Sequence, residues 1–151
     1  MDGNLIIKNA SELVTCSGFT AKKGRAMSDL GIIADGAVVI EAGRIARVGP
    51  TAEVYAGLEA SGADLSRFET IDASGRAVLP GFVDSHTHLV FGGYRAEEYA
   101  WRLKGDSYMD ILQRGGGILS TVTATRGASR EELMMAGLKR LDSMLAFGVT
   151  T

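Results

Sequence analysis

The 151-residue chain holds two histidines, His86 and His88, in the stretch Gly81-Phe82-Val83-Asp84-Ser85-His86-Thr87-His88-Leu89-Val90-Phe91-Gly92-Gly93. The run leading into them, from Arg76 to Val83, is apolar and partly β-branched, and predicts a strand. Residues two apart on a strand share a face, so the two imidazoles project together with α-carbons about 6.5 Å apart. Imidazoles so placed can close on one metal ion at about 2.0–2.1 Å from each nitrogen. The bland alternative is a pair of hydrogen-bonded surface or core histidines. Three features favour the metal: the pair is the whole histidine content of the chain, it ends an apolar strand, and Gly81, Gly92 and Gly93 flank it. Strand ends of this kind are where α/β folds place their sites, and glycine permits close approach. A catalytic zinc needs at least three protein ligands, so the expectation is that the others follow Thr151.

These histidines need a framework, and the chain predicts two parts to it. Residues 1–78 read as a small antiparallel β sheet or sandwich. Asn4–Asn9 and Glu12–Thr15 predict a strand or strand pair. Gly36–Ile40 and Arg44–Gly49 predict a hairpin around a three-residue loop, Glu41-Ala42-Gly43, ended by Pro50. Ala52–Ala60 predicts a short helix with Val54 and Leu58 on one face, and Phe68–Leu79 a second hairpin around Ala73-Ser74-Gly75.

Residues 79–151 read differently. The strand ending at His88 is followed by a Gly92-Gly93 turn and a helix over Ala96–Lys104. Ser107-x-x-Asp110 and Ser129-x-x-Glu132 are capping-box patterns, the first opening a short helix and the second a long one. In the long helix Leu133, Gly137, Leu141 and Met144/Leu145 form the inward stripe, with Lys139, Arg140 and Asp142 off it. Gly115-Gly116-Gly117 and the Thr/Ser-rich stretch to Gly127 predict a long loop. Gly148 is placed as a C-terminal cap, and Val149-Thr150-Thr151 begins another strand. Strand, helices, strand is the grammar of a parallel α/β sheet or barrel. One strand and part of a second cannot close such a sheet, which predicts the N-terminal piece of a longer protein.

Bulk composition excludes several classes. The chain is 46% apolar and 23% charged, with mean hydropathy +0.10, which is ordinary for a globular protein. A net charge of −2 and a pI near 5.7 leave no electrostatic footprint for nucleic acid or anionic lipid. No apolar run approaches the roughly 20 residues of a membrane span, and MDGNLIIKNA lacks the pattern of a secretory signal. The single cysteine, Cys16, has no internal disulfide partner, which agrees with a reducing cytoplasm. The twenty glycines have no fixed period and predict tight turns, not a repeat array.

Val78-Leu79-Pro80-Gly81-Phe82-Val83-Asp84-Ser85-His86-Thr87-His88 is similar to the first-strand motif of the amidohydrolase superfamily. The stretch from His88 to Tyr99, with Arg102-Leu103-Lys104-Gly105, Ser107-Tyr108, Gly115–Ile118 and Gly148–Thr151, closely resembles the imidazolonepropionase family within it. The resemblance spans essentially the whole chain, strongest from Val78 onward. Tyr94 departs from it, standing where a small acidic or polar residue is expected.

That resemblance implies an α/β fold with a β-sandwich part: residues 1–78 in a composite sandwich, residues 79–151 opening a metal-dependent (β/α)8 TIM barrel. It implies one zinc or iron ion per site, held by His86, His88 and a later histidine and aspartate. It implies hydrolysis of 4-imidazolone-5-propanoate to N-formimino-L-glutamate, in histidine degradation, by a cytoplasmic homodimer when full-length. Arg95, otherwise readable as a solvated helix-start residue, becomes the contact for the substrate's propanoate, since a guanidinium offers the bidentate fork that an ammonium lacks. The alternatives are another cyclic amide or aminated heterocycle as substrate, or a non-catalytic fragment serving as an interaction module.

The remaining motifs are bland. Asp84 either orients a histidine or bonds to backbone. Gly115–Gly117 lacks the Lys-Ser/Thr sequel of a phosphate loop. Lys22-Lys23-Gly24-Arg25 reads as a solvated loop, Met134, Met135 and Met144 as helix packing, and Cys16 as inert.

Overall fold

The computed structural model describes residues 3–18 and 20–151; Met1 and Asp2, which open the stretch read for a leader, lie outside them. The fold is mixed α/β, and the chain divides between Pro80 and Gly81 into two compact units.

The first unit is one five-stranded sheet: β1 (Leu5–Val14), β2 (Ile32–Glu41), β3 (Arg44–Pro50), β4 (Glu69–Asp72) and β5 (Ala77–Val78). Its order is β3-β2-β1-β4, with β5 also on β1. The two halves of β1 that the sequence separates are one strand carrying a bulge. Ile7 faces Val38 and Ala10 faces Gly36, so Lys8 and Asn9 together oppose Ala37. Asn9 absorbs the extra residue in a left-handed conformation (φ 57°), which asparagine tolerates, and donates its N–H to Thr51 Oγ1 at 3.1 Å.

The β2–β3 hairpin forms as expected, with a shorter loop. Glu41 pairs with Arg44, leaving Ala42 (φ 49°) and Gly43 (φ 74°) as a two-residue turn of the type whose twist matches the strands. The second hairpin does not form. β4 and β5 both run parallel to β1, pairing with Leu5–Lys8 and then Glu12–Leu13. Asp72 is the reason: its Oδ1 accepts from the Ser74 N–H (2.9 Å) and Oγ (2.6 Å), which sidesteps the chain around the bulge without reversing it.

Helix α1 (Thr51–Ala60) covers one face of this sheet. Val54 and Leu58 pack on Ile6, Ala37 and Val39, all nearly inaccessible to solvent. Each of these side chains except Ala37 contributes about 1.5–3 kcal/mol by leaving water. On the other face Ile7, Leu13, Val38 and Ile40 border an apolar cleft of about 220 Å³ whose rim includes Ile45, 70% exposed. A second sheet over this face, as a sandwich requires, is not among the described residues.

The second unit holds α2 (Ala96–Leu103), α3 (Tyr108–Gln113), α4 (Ile118–Gly127) and α5 (Arg130–Ala146). Both capping boxes form: the Ser107 Oγ accepts from Asp110 N–H and the Ser129 Oγ from Glu132 N–H, each at 3.2 Å, while each acid returns a bond to the serine N–H. The stretch expected as a long loop is instead α4. Its Thr hydroxyls, which suggest a loop, bond back within the helix, Thr121 to the Ile118 carbonyl (2.9 Å) and Thr125 to the Thr121 carbonyl (2.6 Å). On α5 the inward residues are Leu133, Ala136, Gly137, Arg140 and Met144, whereas Leu141 and Leu145 are exposed. Arg140 therefore lies on the inward face, contrary to its expected place.

Helix α5 ends on Gly148, whose N–H bonds the Leu145 carbonyl (2.9 Å) while Val149 N–H bonds that of Met144 (3.0 Å). The chain then runs parallel to the segment entering the histidines. Phe82 N–H bonds the Gly148 carbonyl (2.8 Å), Thr150 N–H the Phe82 carbonyl (2.9 Å), and Asp84 N–H the Thr151 carbonyl (2.8 Å). The long strand expected to end at His88 is thus two short pieces, β5 in the first unit and this pairing in the second, ending at Asp84.

Candidate functional site

Beyond Asp84 the backbone leaves its partner and bends through Ser85 and His86. Asp84 sets the bend: its Oδ1 accepts from the His86 backbone N–H at 3.1 Å, which makes it a backbone anchor and not an orienter of an imidazole. The imidazoles of His86 and His88 come together all the same. Their ring centroids are 5.6 Å apart with planes 26° from parallel, and both residues are exposed. The strand-face argument reaches the right neighbours by the wrong route, since a turn and not a pleat juxtaposes them.

The spacing can be tested against a shared ion. With metal–nitrogen bonds of about 2.0–2.1 Å, two imidazoles on one tetrahedral ion have centroids roughly 5 Å apart. The observed 5.6 Å fits, and exposure leaves both rings free to turn without disturbing a core. Among the described residues no group of three or more His, Cys, Asp or Glu could hold a metal ion.

His88 lines an open cleft of about 590 Å³ together with Arg95, the aromatic rings of Phe91 and Tyr94, and one side of α4. Arg95 is the N-terminal cap residue of α2. Its Nη1 lies 3.5 Å from Glu98 Oε2, while Glu98 Oε1 accepts from the Gly117 N–H at 2.7 Å. One half-buried carboxylate thus ties Arg95 to the glycine turn that opens α4. At 3.5 Å the pair is not a short bidentate bond, so the guanidinium keeps donors for another carboxylate. The structure brings His88 and Arg95 into one cleft, with His86 stacked beside His88.

Sequence reasoning missed the α4 wall of this cleft. Ile118, Thr121, Val122, Thr125 and Arg126 line it at the three-and-four spacing of a helix face, a period that the Thr-rich composition obscured. It also missed Arg126 as a second guanidinium at the cleft, and Glu98 as the partner of Arg95.

An amidohydrolase family model matches residues 69–118, which include both histidines and Arg95. The imidazolonepropionase of Clostridium tetani is 52% identical over 149 residues, 99% of this chain and 34% of that protein. That of Parabacteroides distasonis is 51% identical over 150 residues, 99% of this chain and 35% of that protein. That of Phocaeicola vulgatus is 52% identical over 151 residues, the whole of this chain and 34% of that protein. The chain spans about a third of the length of the curated relatives it matches. The motif at Asp84–His88, the family match across it and identity near one half along the chain agree: this chain is similar to amidohydrolases over residues 69–118, and the relatives it matches along its length are imidazolonepropionases.

Proposed function

We propose that the protein carrying this chain is a metal-dependent hydrolase of histidine degradation, which adds water across a ring C–N bond of 4-imidazolone-5-propanoate to give N-formimino-L-glutamate. The observation that carries this reading is the cleft that holds His88 and Arg95 together, with His86 stacked against His88. A zinc or iron ion, when bound, supplies Lewis-acid polarisation of the ring carbonyl and a nucleophilic water at neutral pH. Imidazole donors suit both metals, and His86 and His88 would give one nitrogen each. The other donors and the proton shuttle would come from outside these 151 residues.

Arg95 would hold the propanoate through charge-assisted hydrogen bonds, fixing the ring relative to the histidines. Phe91 and Tyr94 give the cleft an aromatic wall, with rings 5.7 Å apart and edge-on. Their apolar faces suit a planar heterocycle. In this reading residues 1–78 are part of a β-sandwich, whose missing layer would cover the Ile45 side of the sheet, and residues 79–151 open a TIM barrel. The complete protein is read as a cytoplasmic homodimer.

The test is a chimera in which this chain replaces the matching third of the Clostridium tetani relative. The chimera is expected to form N-formimino-L-glutamate. Arg95→Met should lower kcat/KM by about 10²-fold for the propanoate substrate, the loss of a charge-assisted pair. With an analogue lacking the carboxylate the same change should matter little. An inactive but folded chimera, or equal losses on both substrates, would overturn the assignment.

A further inference from the structure

Six residues, Leu89 to Tyr94, separate His88 from Arg95 and set how the two stand to each other. They form no helix or strand, and Val90 and Tyr94 are 59% and 73% exposed, while Gly92 is tied to α4 by its N–H to Thr125 Oγ1 at 3.0 Å. A side chain from α5 holds the residues on either side of Gly92. The Arg140 Nη1 donates to the Leu89 carbonyl at 2.8 Å. Its guanidinium carbon lies 3.6 Å from the centroid of Phe91 and 5.1 Å from that of Tyr94. The one cation thus meets the first, third and last residues of the connection.

The Arg140 Nε is buried and has no hydrogen-bond partner among the described residues. A buried donor without a partner is costly, so packing economy does not explain an arginine here. A planar face that stacks on an aromatic ring, joined to a donor fork that reaches a carbonyl, does explain it; lysine supplies only the second. The sequence disguises the residue, because a charged side chain on a helix is ordinarily a solvated one.

We infer that Arg140 is a positioning residue: by clamping Leu89, Phe91 and Tyr94 from α5 it sets the place of Arg95 relative to His88 for a carboxylate-bearing substrate. This rests on the reading of His88 and Arg95 given above. Arg140 touches no reacting group and acts through Arg95.

Two measurements test it. In the chimera, Arg140→Lys keeps the charge and loses the stacked plane, and should raise KM for the propanoate substrate at least fivefold while kcat changes much less. In the Arg95→Met background the same change should move KM by less than twofold, because the residue it positions is gone. An equal factor in both backgrounds, or no change in the parent, would overturn the inference. Independently, backbone amide NMR signals of Leu89–Arg95 in the chain itself should shift on Arg140→Lys and on Phe91→Leu, with those of Ser107 and Ser129 unmoved. Signals of Leu89–Arg95 that stay in place would overturn the clamp whatever the chimera does. A parent chimera that opens no ring would instead count against the proposed reaction and leave the NMR comparison to decide.

Discussion

Replacing Gly92 by alanine pushes a methyl group into the backbone of α4. A Cβ there would meet the Ala124 carbonyl oxygen at 2.7 Å, its carbon at 2.9 Å and Thr125 Cα at 3.1 Å. Ordinary contacts between carbon atoms are about 3.5–4.0 Å, so the loop must retreat by roughly 0.5–1 Å. That retreat takes the Gly92 N–H beyond reach of Thr125 Oγ1, now 3.0 Å away. Overpacking costs about 1–3 kcal/mol and the lost hydrogen bond about 1 kcal/mol more, so the expected destabilisation is about 2–4 kcal/mol. Trp101, the one tryptophan of the chain, sits on α2 in the same unit and reports urea unfolding by fluorescence. Gly127 is the control: it ends α4 with nothing within 4 Å of a built Cβ. Gly127→Ala should therefore be neutral or stabilising by up to about 1 kcal/mol. A loss below about 0.5 kcal/mol for Gly92→Ala, or the same effect at both glycines, would refute the packing argument.

Three further outcomes follow from the same structure. Ser129→Ala removes the cap of α5 and should cost about 1 kcal/mol by urea unfolding. Hydrogen bonds from Ser107 hold the Asp110 carboxyl below its ordinary 3.8, and those from Ser129 hold Glu132 below its ordinary 4.5. A depressed native value means that the unfolded chain binds more protons in acid, so this stabilisation is present above the ordinary values and is lost as pH falls through the depressed ones. Ser129→Ala keeps the larger of these bonds to Glu132, from the backbone N–H, so the stability difference from wild type should be constant near neutrality and narrow only slightly below about pH 4.5. Leu58, 1% exposed between α1 and the sheet, should cost about 2–5 kcal/mol as Leu58→Ala, read from faster hydrogen exchange in β1 and β2.

What the sequence made legible was whatever is written locally. Both capping boxes, the β2–β3 hairpin, α1 with Val54 and Leu58, and the cap at Gly148 follow from patterns confined to a few residues. Failures came where distant partners decide. Phe68–Leu79 has hairpin composition, yet both of its strands join the β1 ladder because Asn9 bulges and Asp72 sidesteps. Thr121 and Thr125 suggest a loop until their hydroxyls are seen to bond within α4. The same divide runs through the site. His86 and His88 were candidates by type and spacing and Arg95 by family resemblance, whereas Glu98, Arg126 and Arg140 acquire meaning only when α2, α4 and α5 are placed around the cleft.

The central claim is that His86 and His88 together contribute to one metal site that opens a ring, and metal content measures it most directly. Zinc and iron should be quantified per subunit in the purified chimera, alongside ring opening, for the parent, His86→Ala, His88→Ala and the double variant. The account predicts about one metal ion per subunit in the parent, and its loss together with activity in each variant. A double variant that keeps both its metal and its ring-opening rate would contradict it.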